Sequence, residues 1–259
     1  MNRVLEKYQV RQPSVGTFTH LRSSVAVEAL GTAGLDFVIL DTEHCVLNPE
    51  TMAECITAAG AAGLDALVRI HSVTREAVLH PLDLGAKGLI VPAVETVEEV
   101  ERLVRFAKFP PVGGRGFCPT RDGLWGCDEA SLAGAAVYMD RSNREALLIP
   151  QCETAGCLAN IETIAAMEGV DGIFVGPYDL SVALGKPARM DDPDLQAAID
   201  RVLAACKKHG KCTMIYAGDA AASAAFFRRG FDCVACGMDS IFLIQALRTL
   251  RADVDKQMG

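Results

Sequence analysis

A short phrase recurs along the chain: a glycine, one or two small or acidic residues, then a run of apolar ones. It reads Gly34-Leu-Asp-Phe-Val-Ile-Leu-Asp41, then Gly63-Leu-Asp-Ala-Leu-Val-Arg-Ile70 and Gly85-Ala-Lys-Gly-Leu-Ile-Val-Pro92. It returns as Gly169-Val-Asp-Gly-Ile-Phe-Val-Gly176 and Gly230-Phe-Asp-Cys-Val-Ala-Cys-Gly237. Such a glycine suits the left-handed position that ends a helix, and an unbroken apolar run reads as a strand covered on both faces. The wide gaps hold further strands at 147–152 and 212–216, and Ser14-Val-Gly-Thr-Phe-Thr19 supplies one before the first helix. Helical periodicity fills 98–108, 158–167, 194–208 and 220–229 between them. Strands alternating with helices, eight times over, predict an α/β fold: a single TIM (β/α)8 barrel spanning 1–259. A doubly wound open sheet is the other candidate. It would need a phosphate-binding glycine fingerprint after an early strand, and Gly60-Ala-Ala-Gly63 lies before its strand instead.

Composition narrows the setting. A chain of 259 residues, half of them apolar, can bury one large core. The formal charge of −8 argues against nucleic acid or an anionic membrane as partner. No apolar run approaches the ~18 residues of a membrane span. The opening Met1-Asn2-Arg3-Val4-Leu5-Glu6-Lys7 leads into no apolar signal core, so the expected location is the cytoplasm. The ten cysteines are scattered through long elements rather than clustered, which predicts free thiols in a reducing compartment. Cys233 and Cys236 lie three apart on one predicted strand and so face opposite ways, unfit to share a metal. Cys45 beside His44 is a candidate nucleophile on adjacency alone.

A parallel barrel builds its active site at the carboxyl ends of its strands. The residues predicted there are Asp41, Thr42, Glu43 and His44, then Arg69 with His71, Gln151 with Glu153, and Gly176-Pro-Tyr-Asp179. Asp219 and Asp239 follow the last two strands. Carboxylates gathered at one mouth repel unless a cation or protons intervene. Glu153, Asp179 and Glu43 offer hard oxygens of the kind that suit Mg²⁺ or Mn²⁺. Asp179 could instead cap a short helix beginning near Leu180. His44 is open to three roles: metal ligand, general base or packed loop residue. None of the eight lysines falls at the carboxyl end of a strand, which removes Schiff-base chemistry. The Gly- and Pro-rich stretch from Pro110 to Trp125 is a further expected seat of functional residues.

Taken in order, Phe37-Val-Ile-Leu-Asp-Thr-Glu-His44, Leu82-Asp-Leu-Gly-Ala-Lys-Gly-Leu-Ile-Val-Pro92, Phe109-Pro-Pro-Val-Gly-Gly-Arg-Gly116, Pro150-Gln-Cys-Glu153 and Asp171-Gly-Ile-Phe-Val-Gly-Pro-Tyr-Asp-Leu-Ser181 resemble the HpcH/HpaI family of metal-dependent pyruvate aldolases. The resemblance runs from about residue 15 to 250. It implies a TIM barrel with a divalent ion (Mg²⁺, Mn²⁺ or Co²⁺), assembled as a homo-oligomer, a hexamer with exchanged C-terminal helices. It implies Glu153 and Asp179 as metal ligands, and Gln151 with the backbone at Tyr178 and Asp179 as the pyruvate site. His44 matches the catalytic histidine, Asp83 the partner that raises its basicity, and Arg69 the group that stabilises the enolate oxygen. Tyr178 stands where many members carry a small residue. His71, the His80-Pro81 pair and residues 117–125 also depart from the pattern, which leaves the aldehyde partner open.

The expected reaction is therefore reversible cleavage of a 4-hydroxy-2-oxo acid into pyruvate and an aldehyde. Two other readings stand beside it. A CoA-thioester carbon–carbon lyase resembling the citrate-lyase β chain would want a basic run for the CoA phosphates, and the chain shows none. A non-catalytic acid-binding barrel would not need Gln151, Glu153, Asp179, Arg69 and His44 together.

Overall fold

Side chains alternate along a strand, so a closed parallel sheet sorts its residues into an inner and an outer core. The computed structural model, which describes residues 2–258, shows this sorting in full. Its strands are β1 (Ser14–Thr19), β2 (Phe37–Asp41), β3 (Asp65–Arg69), β4 (Gly88–Val91), β5 (Leu147–Cys152), β6 (Gly172–Val175), β7 (Cys212–Ala217) and β8 (Cys233–Met238). Each pairs in parallel with the next, and β8 returns to β1 to close a TIM-like (β/α)8 barrel. The expected strands all form. Phe18, Phe37, Ile39, Leu67, Ile90, Ile149, Phe174 and Met214 fill the inside. Val38, Leu40, Val68, Leu89, Val91, Leu148, Ile173 and Val234 face the surrounding helices. That is why the runs carry no polar alternation: both faces are covered. Cys233 belongs to the inner core and Val234 to the outer, so Cys236, three residues on from Cys233, turns away from it. All ten cysteines are free thiols.

Three features differ from the expected pattern. The helical stretch 158–167 is two helices, Ala155–Ala159 and Ile161–Ala166, meeting at Asn160. There the Asn160 side chain donates to the Gly156 carbonyl at 2.9 Å, the local competition with backbone bonding that makes asparagine a helix breaker. The second feature is a short helix, Arg3–Gln9, that closes the amino end of the barrel. It packs Val4, Leu5 and Tyr8 against the inner core, and the Val4 N–H donates to Asp65 Oδ2 at 2.7 Å. Third, the stretch from Pro110 to Trp125 lies on the flank. There Arg115 pairs with Asp83, and Phe109, Phe117 and Tyr138 meet edge to face.

The chain ends in the helix Asp239–Met258, whose first residue is buried and which is exposed from Ile241 onward. Among the described residues no helix is long and apolar enough to cross a membrane.

Where inner side chains are bulky, a neighbouring strand must give way. A Cβ on Gly88 would stand 2.8 Å from the Leu147 carbonyl oxygen and 2.9 Å from its Cβ. Backbone in a paired strand cannot step aside, so Gly88→Ala should lower unfolding free energy by about 1–3 kcal/mol, the usual cost of overpacking. Chemical denaturation followed by circular dichroism checks this; an unchanged midpoint would show that β5 yields freely.

Candidate active site

Phe37 and Ile39 point inward, so Asp41 does too; Leu67 points inward, and so does Arg69. The register sets these two directly opposite each other on β2 and β3. Arg69 Nε donates to Asp41 Oδ1 at 2.9 Å and Nη2 to Oδ2 at 2.6 Å, a two-pronged pair. Nη1 reaches Glu43 Oε2 at 3.2 Å, and the guanidinium lies 4.8 Å over the Phe18 ring. Burial alone would raise the Asp41 carboxyl, but hydrogen bonds and charge from Arg69 outweigh it and hold Asp41 below the usual carboxylate range.

Across the cavity the opposite holds. Burial, reinforced by the charges of Asp179 and Glu43, pushes Glu153 up to about 7 despite hydrogen bonds from the Ala93 N–H and Gln151. Its Oε1 accepts from Ala93 N at 2.7 Å and its Oε2 from Gln151 Nε2. The remaining amide oxygen, Gln151 Oε1, is buried without a partner. A Cβ on Gly176 would come within 2.7 Å of Glu153 Oε2, so that glycine keeps the carboxylate's side of the mouth open. Asp179 lines the same cavity from the first turn of the helix Pro177–Ala183. That helix is capped at Gly176 with no side-chain bond, so Asp179 is not its cap. A buried carboxylate lifted by two neighbouring negative charges, beside an unpartnered amide oxygen, is an environment that a divalent cation would satisfy. Among the described residues no group of three or more His, Cys, Asp or Glu side chains is arranged to hold a metal ion. Two protein carboxylates would thus leave the rest of a coordination shell to water and substrate.

The cavity measures about 410 Å³. His44, Arg69, Gln151 and Asp179 line one part of it, and Phe18, Phe174, Tyr178, Tyr216 and Met238 form an apolar wall. Tyr178 and Tyr216 meet edge to face with ring centres 5.9 Å apart. His44 stands at the rim, its side chain 64% exposed, 3.7 Å from Glu43 Oε2. Behind it a groove of about 560 Å³ runs along His71, Thr74, Glu76 and His80.

Asp83 is not brought to His44. It ends the helix Arg75–Asp83 just before the turn into β4, toward the amino end of the barrel, and accepts from Arg115 Nη2 at 2.7 Å. Asp219 and Asp239 are also spent elsewhere. Asp219 caps the helix Ala220–Arg229, and Asp239 accepts from Thr19 Oγ1 and from the His20 N–H. Burial raises the Cys45 thiol, which makes it a poor nucleophile. One residue escaped the sequence reading: His20, whose Nε2 sits 3.0 Å from Asp41 Oδ2 inside the cavity. The available signal was its place two beyond inward-facing Phe18.

Known proteins resemble this chain over most of its length. The pattern of the family described as HpcH/HpaI aldolase/citrate lyase matches residues 14–246. A 5-keto-4-deoxy-D-glucarate aldolase of Klebsiella pneumoniae is 32% identical over 92% of this chain and 91% of its own. The crystal structure of an HpcH/HpaI aldolase/citrate lyase family protein from Burkholderia cenocepacia is 32% identical with a TM-score of 0.89. It covers 98% of this chain and 100% of its own. That of citrate synthase SbnG is 27% identical with a TM-score of 0.86, covering 98% and 97%.

The Asp41–Arg69 pair sets a stability test. Asp41→Asn keeps the shape but takes from a buried guanidinium the nearer and more buried of its two counter-charges, which should cost about 3 kcal/mol. The Asp41 carboxyl titrates lower in the folded protein than in the unfolded chain. Its stabilisation is therefore complete above the unfolded value and is lost as pH falls through the folded one. The gap in denaturation midpoint between wild type and variant should be flat from about pH 5 to 8 and narrow below about pH 4. A gap that widens in acid would contradict the pairing.

Proposed function

The chain belongs to the HpcH/HpaI aldolase/citrate lyase family, a family of carbon–carbon lyases, and on that premise we propose that it is a metal-dependent pyruvate aldolase. It reversibly cleaves a 4-hydroxy-2-oxo acid into pyruvate and an aldehyde. The observation that carries this reading is the pair of opposed charge environments in one cavity. Glu153, buried behind the Gln151 and Gly176 that line the cavity, is lifted near neutrality by burial and by Asp179 and Glu43, within electrostatic reach of the fixed guanidinium of Arg69. Glu153 and Asp179 would hold Mg²⁺, Mn²⁺ or Co²⁺, which when bound supplies Lewis-acid polarisation of the substrate's keto group.

The chain's own groups do the rest. Gln151 and the backbone N–H groups of Tyr178 and Asp179 orient the oxo-acid end. His44 at the rim takes the 4-hydroxyl proton: the O–H pair becomes the aldehyde C=O, and the C3–C4 pair moves toward the keto carbon. Arg69, unable to move away from Asp41, faces the negative charge that builds on the keto oxygen. Glu43, at 3.7 Å, is the carboxylate placed to steady His44, a part that the resemblance gave to Asp83. Arg69 is the single cationic side chain that stays charged among the cavity's lining, which speaks against a CoA thioester as substrate. The exposed apolar residues Leu243, Leu247, Leu250 and Val254 recur on one face of the last helix and suit burial against further copies of this chain. We read that helix as the assembly element of a homo-oligomer, a hexamer by resemblance, working in the cytoplasm.

Two experiments test the reading. Pyruvate release from 4-hydroxy-2-oxo acids should require added Mg²⁺, Mn²⁺ or Co²⁺, and exhaustive chelation should abolish it without unfolding the barrel. Since Glu153 must be ionised to bind a cation, metal affinity should climb as pH rises through about 7, with proton release on binding below it. Calorimetry in buffers of different ionisation heat measures both; full turnover in metal-free protein would sink the proposal. In the second, His44→Ala should lower cleavage by about 10²–10⁴-fold, the range of one acid–base group. It should spare exchange of pyruvate methyl protons with heavy water, which needs no hydroxyl proton. Equal loss of both would remove His44 from the hydroxyl.

A further inference from the structure

The cavity holds two imidazoles, and aldol chemistry moves two protons. One is the hydroxyl proton, given above to His44. The other belongs to the pyruvate methyl carbon, which loses a proton before condensation and regains it after cleavage. Few lining groups can carry it. Arg69 is bound to Asp41, Asp179 is assigned with Glu153 to the metal, and burial lifts the Tyr216 phenol further above neutrality. Histidine is the residue type that exchanges protons near neutral pH, and His20 is the lining histidine left.

His20 is also the better anchored of the two. Its side chain is 24% exposed against 64% for His44, and its Nε2 lies 3.0 Å from Asp41 Oδ2. Its backbone is fixed as well: its N–H donates to Asp239 Oδ1 at 2.9 Å, and Cys45 Sγ donates to its carbonyl at 3.5 Å. The charged and titratable groups around it are thus Asp41 and Arg69 from β2 and β3, Asp239 from the last helix, and Cys45 from the loop after β2. An ionised carboxylate only accepts hydrogen bonds. With Asp41 ionised by Arg69, Nε2 must carry the ring hydrogen, which leaves the lone pair on Nδ1. A fixed tautomer backed by a buried carboxylate is the arrangement that makes an imidazole a directed base.

We infer that His20 is the proton-transfer residue for the pyruvate methyl group, a role that rests on the aldolase reading. In the condensation direction Nδ1 takes a methyl proton. The C–H pair becomes the C=C bond, and the carbonyl π pair moves onto the keto oxygen facing Arg69. Asp41 then holds the imidazolium. In cleavage the same Nδ1–H proton goes back to the carbon, and the N–H pair returns to the ring.

The test uses the full chain with Mn²⁺ and the variant His20→Gln, whose amide can still donate to Asp41 but cannot take up a proton. Methyl exchange of pyruvate in heavy water, read by NMR, should fall at least about 100-fold. Retro-aldol cleavage, followed by aldehyde release, should fall far less, because solvent can protonate a departing enol. Free imidazole should restore part of the exchange in His20→Ala. Independently of activity, ¹⁵N spectra of histidine-labelled protein should show a ring protonated at Nε2 and bare at Nδ1 that vanishes in His20→Gln. Wild-type exchange in His20→Gln, or an Nδ1–H tautomer, overturns the assignment. Equal loss of exchange and cleavage without imidazole rescue overturns it too, since that pattern means only that Asp41 and Arg69 have shifted. A wild type that neither exchanges nor cleaves with any of the three metals fails at the aldolase reading itself, and the role of His20 falls with it.

Discussion

Asp41 and Arg69 face each other across two neighbouring strands, and the rest of the cavity is arranged around that contact. A buried ion pair is a poor way to gain stability, since apolar residues of similar volume often do as well. Its return is positional. Held at two points by Asp41, the guanidinium sits over the Phe18 ring and lines the cavity. The same carboxylate fixes the ring of His20, and the same guanidinium reaches Glu43. One fully buried carboxylate therefore sets the orientation of the cavity's fixed positive charge and of one of its two imidazoles.

The acidic residues of the mouth are separated by environment rather than by type. Asp41 and Glu153 are both buried carboxylates, yet Asp41 is held below its ordinary range and Glu153 is lifted to about 7. The difference comes from neighbours: a guanidinium within hydrogen-bond reach of one, two further carboxylates near the other. Carboxylates driven apart in this way can take separate tasks in one site. Asp41 stays an acceptor that anchors Arg69, whereas Glu153, lifted to about 7, would give up its proton on meeting a positive charge, as the proposed metal role requires. Gln151 sits between these regimes, giving its N–H to Glu153 and turning an unpartnered oxygen inward.

Most of this was legible where it depends on period two. Once Leu147–Cys152 is a strand, Gln151 and Glu153 must share a face, and once Phe37–Asp41 is one, Asp41 must follow Ile39 inward. What escaped depends on partners distant in sequence. Asp83 reads as a neighbour of His44 until Arg115, from the loop at 110–125, takes its carboxylate. Asp219 and Asp239 read as mouth acids until a helix start takes the first and Thr19 with the His20 N–H takes the second. His20 gives no sign in the sequence because its partner, Asp41, lies 21 residues away on the next strand. Short elements hide for a related reason: Arg3–Gln9 has too few turns to show a period, and its place is set by the open end of the barrel beneath it.

The two halves of the cavity stand on different footings. Asp41, Arg69, Gln151 and Glu153 issue from strand ends, or the residue just past one, and are held by hydrogen bonds to one another or to neighbouring backbone. On the aldolase proposal, the oxo-acid end of a substrate would meet these anchored groups. His44 and Tyr178 come from loop and helix start, and both are well exposed. Side chains placed in this way can change, or change rotamer, without disturbing the barrel, because strand geometry does not pass through them. A scaffold divided along that line keeps the chemistry of one substrate half while the other half is free to vary. That is consistent with this chain's likeness both to a protein named as an aldolase, at 32% identity, and to one named as a citrate synthase, at 27% identity and a TM-score of 0.86. In this chain the variable side is aromatic: Tyr178 leans on Tyr216 over a wall built from Phe18, Phe174 and Met238. Whatever occupies that side leaves water for ring edges, so its fit is decided by shape and apolar surface.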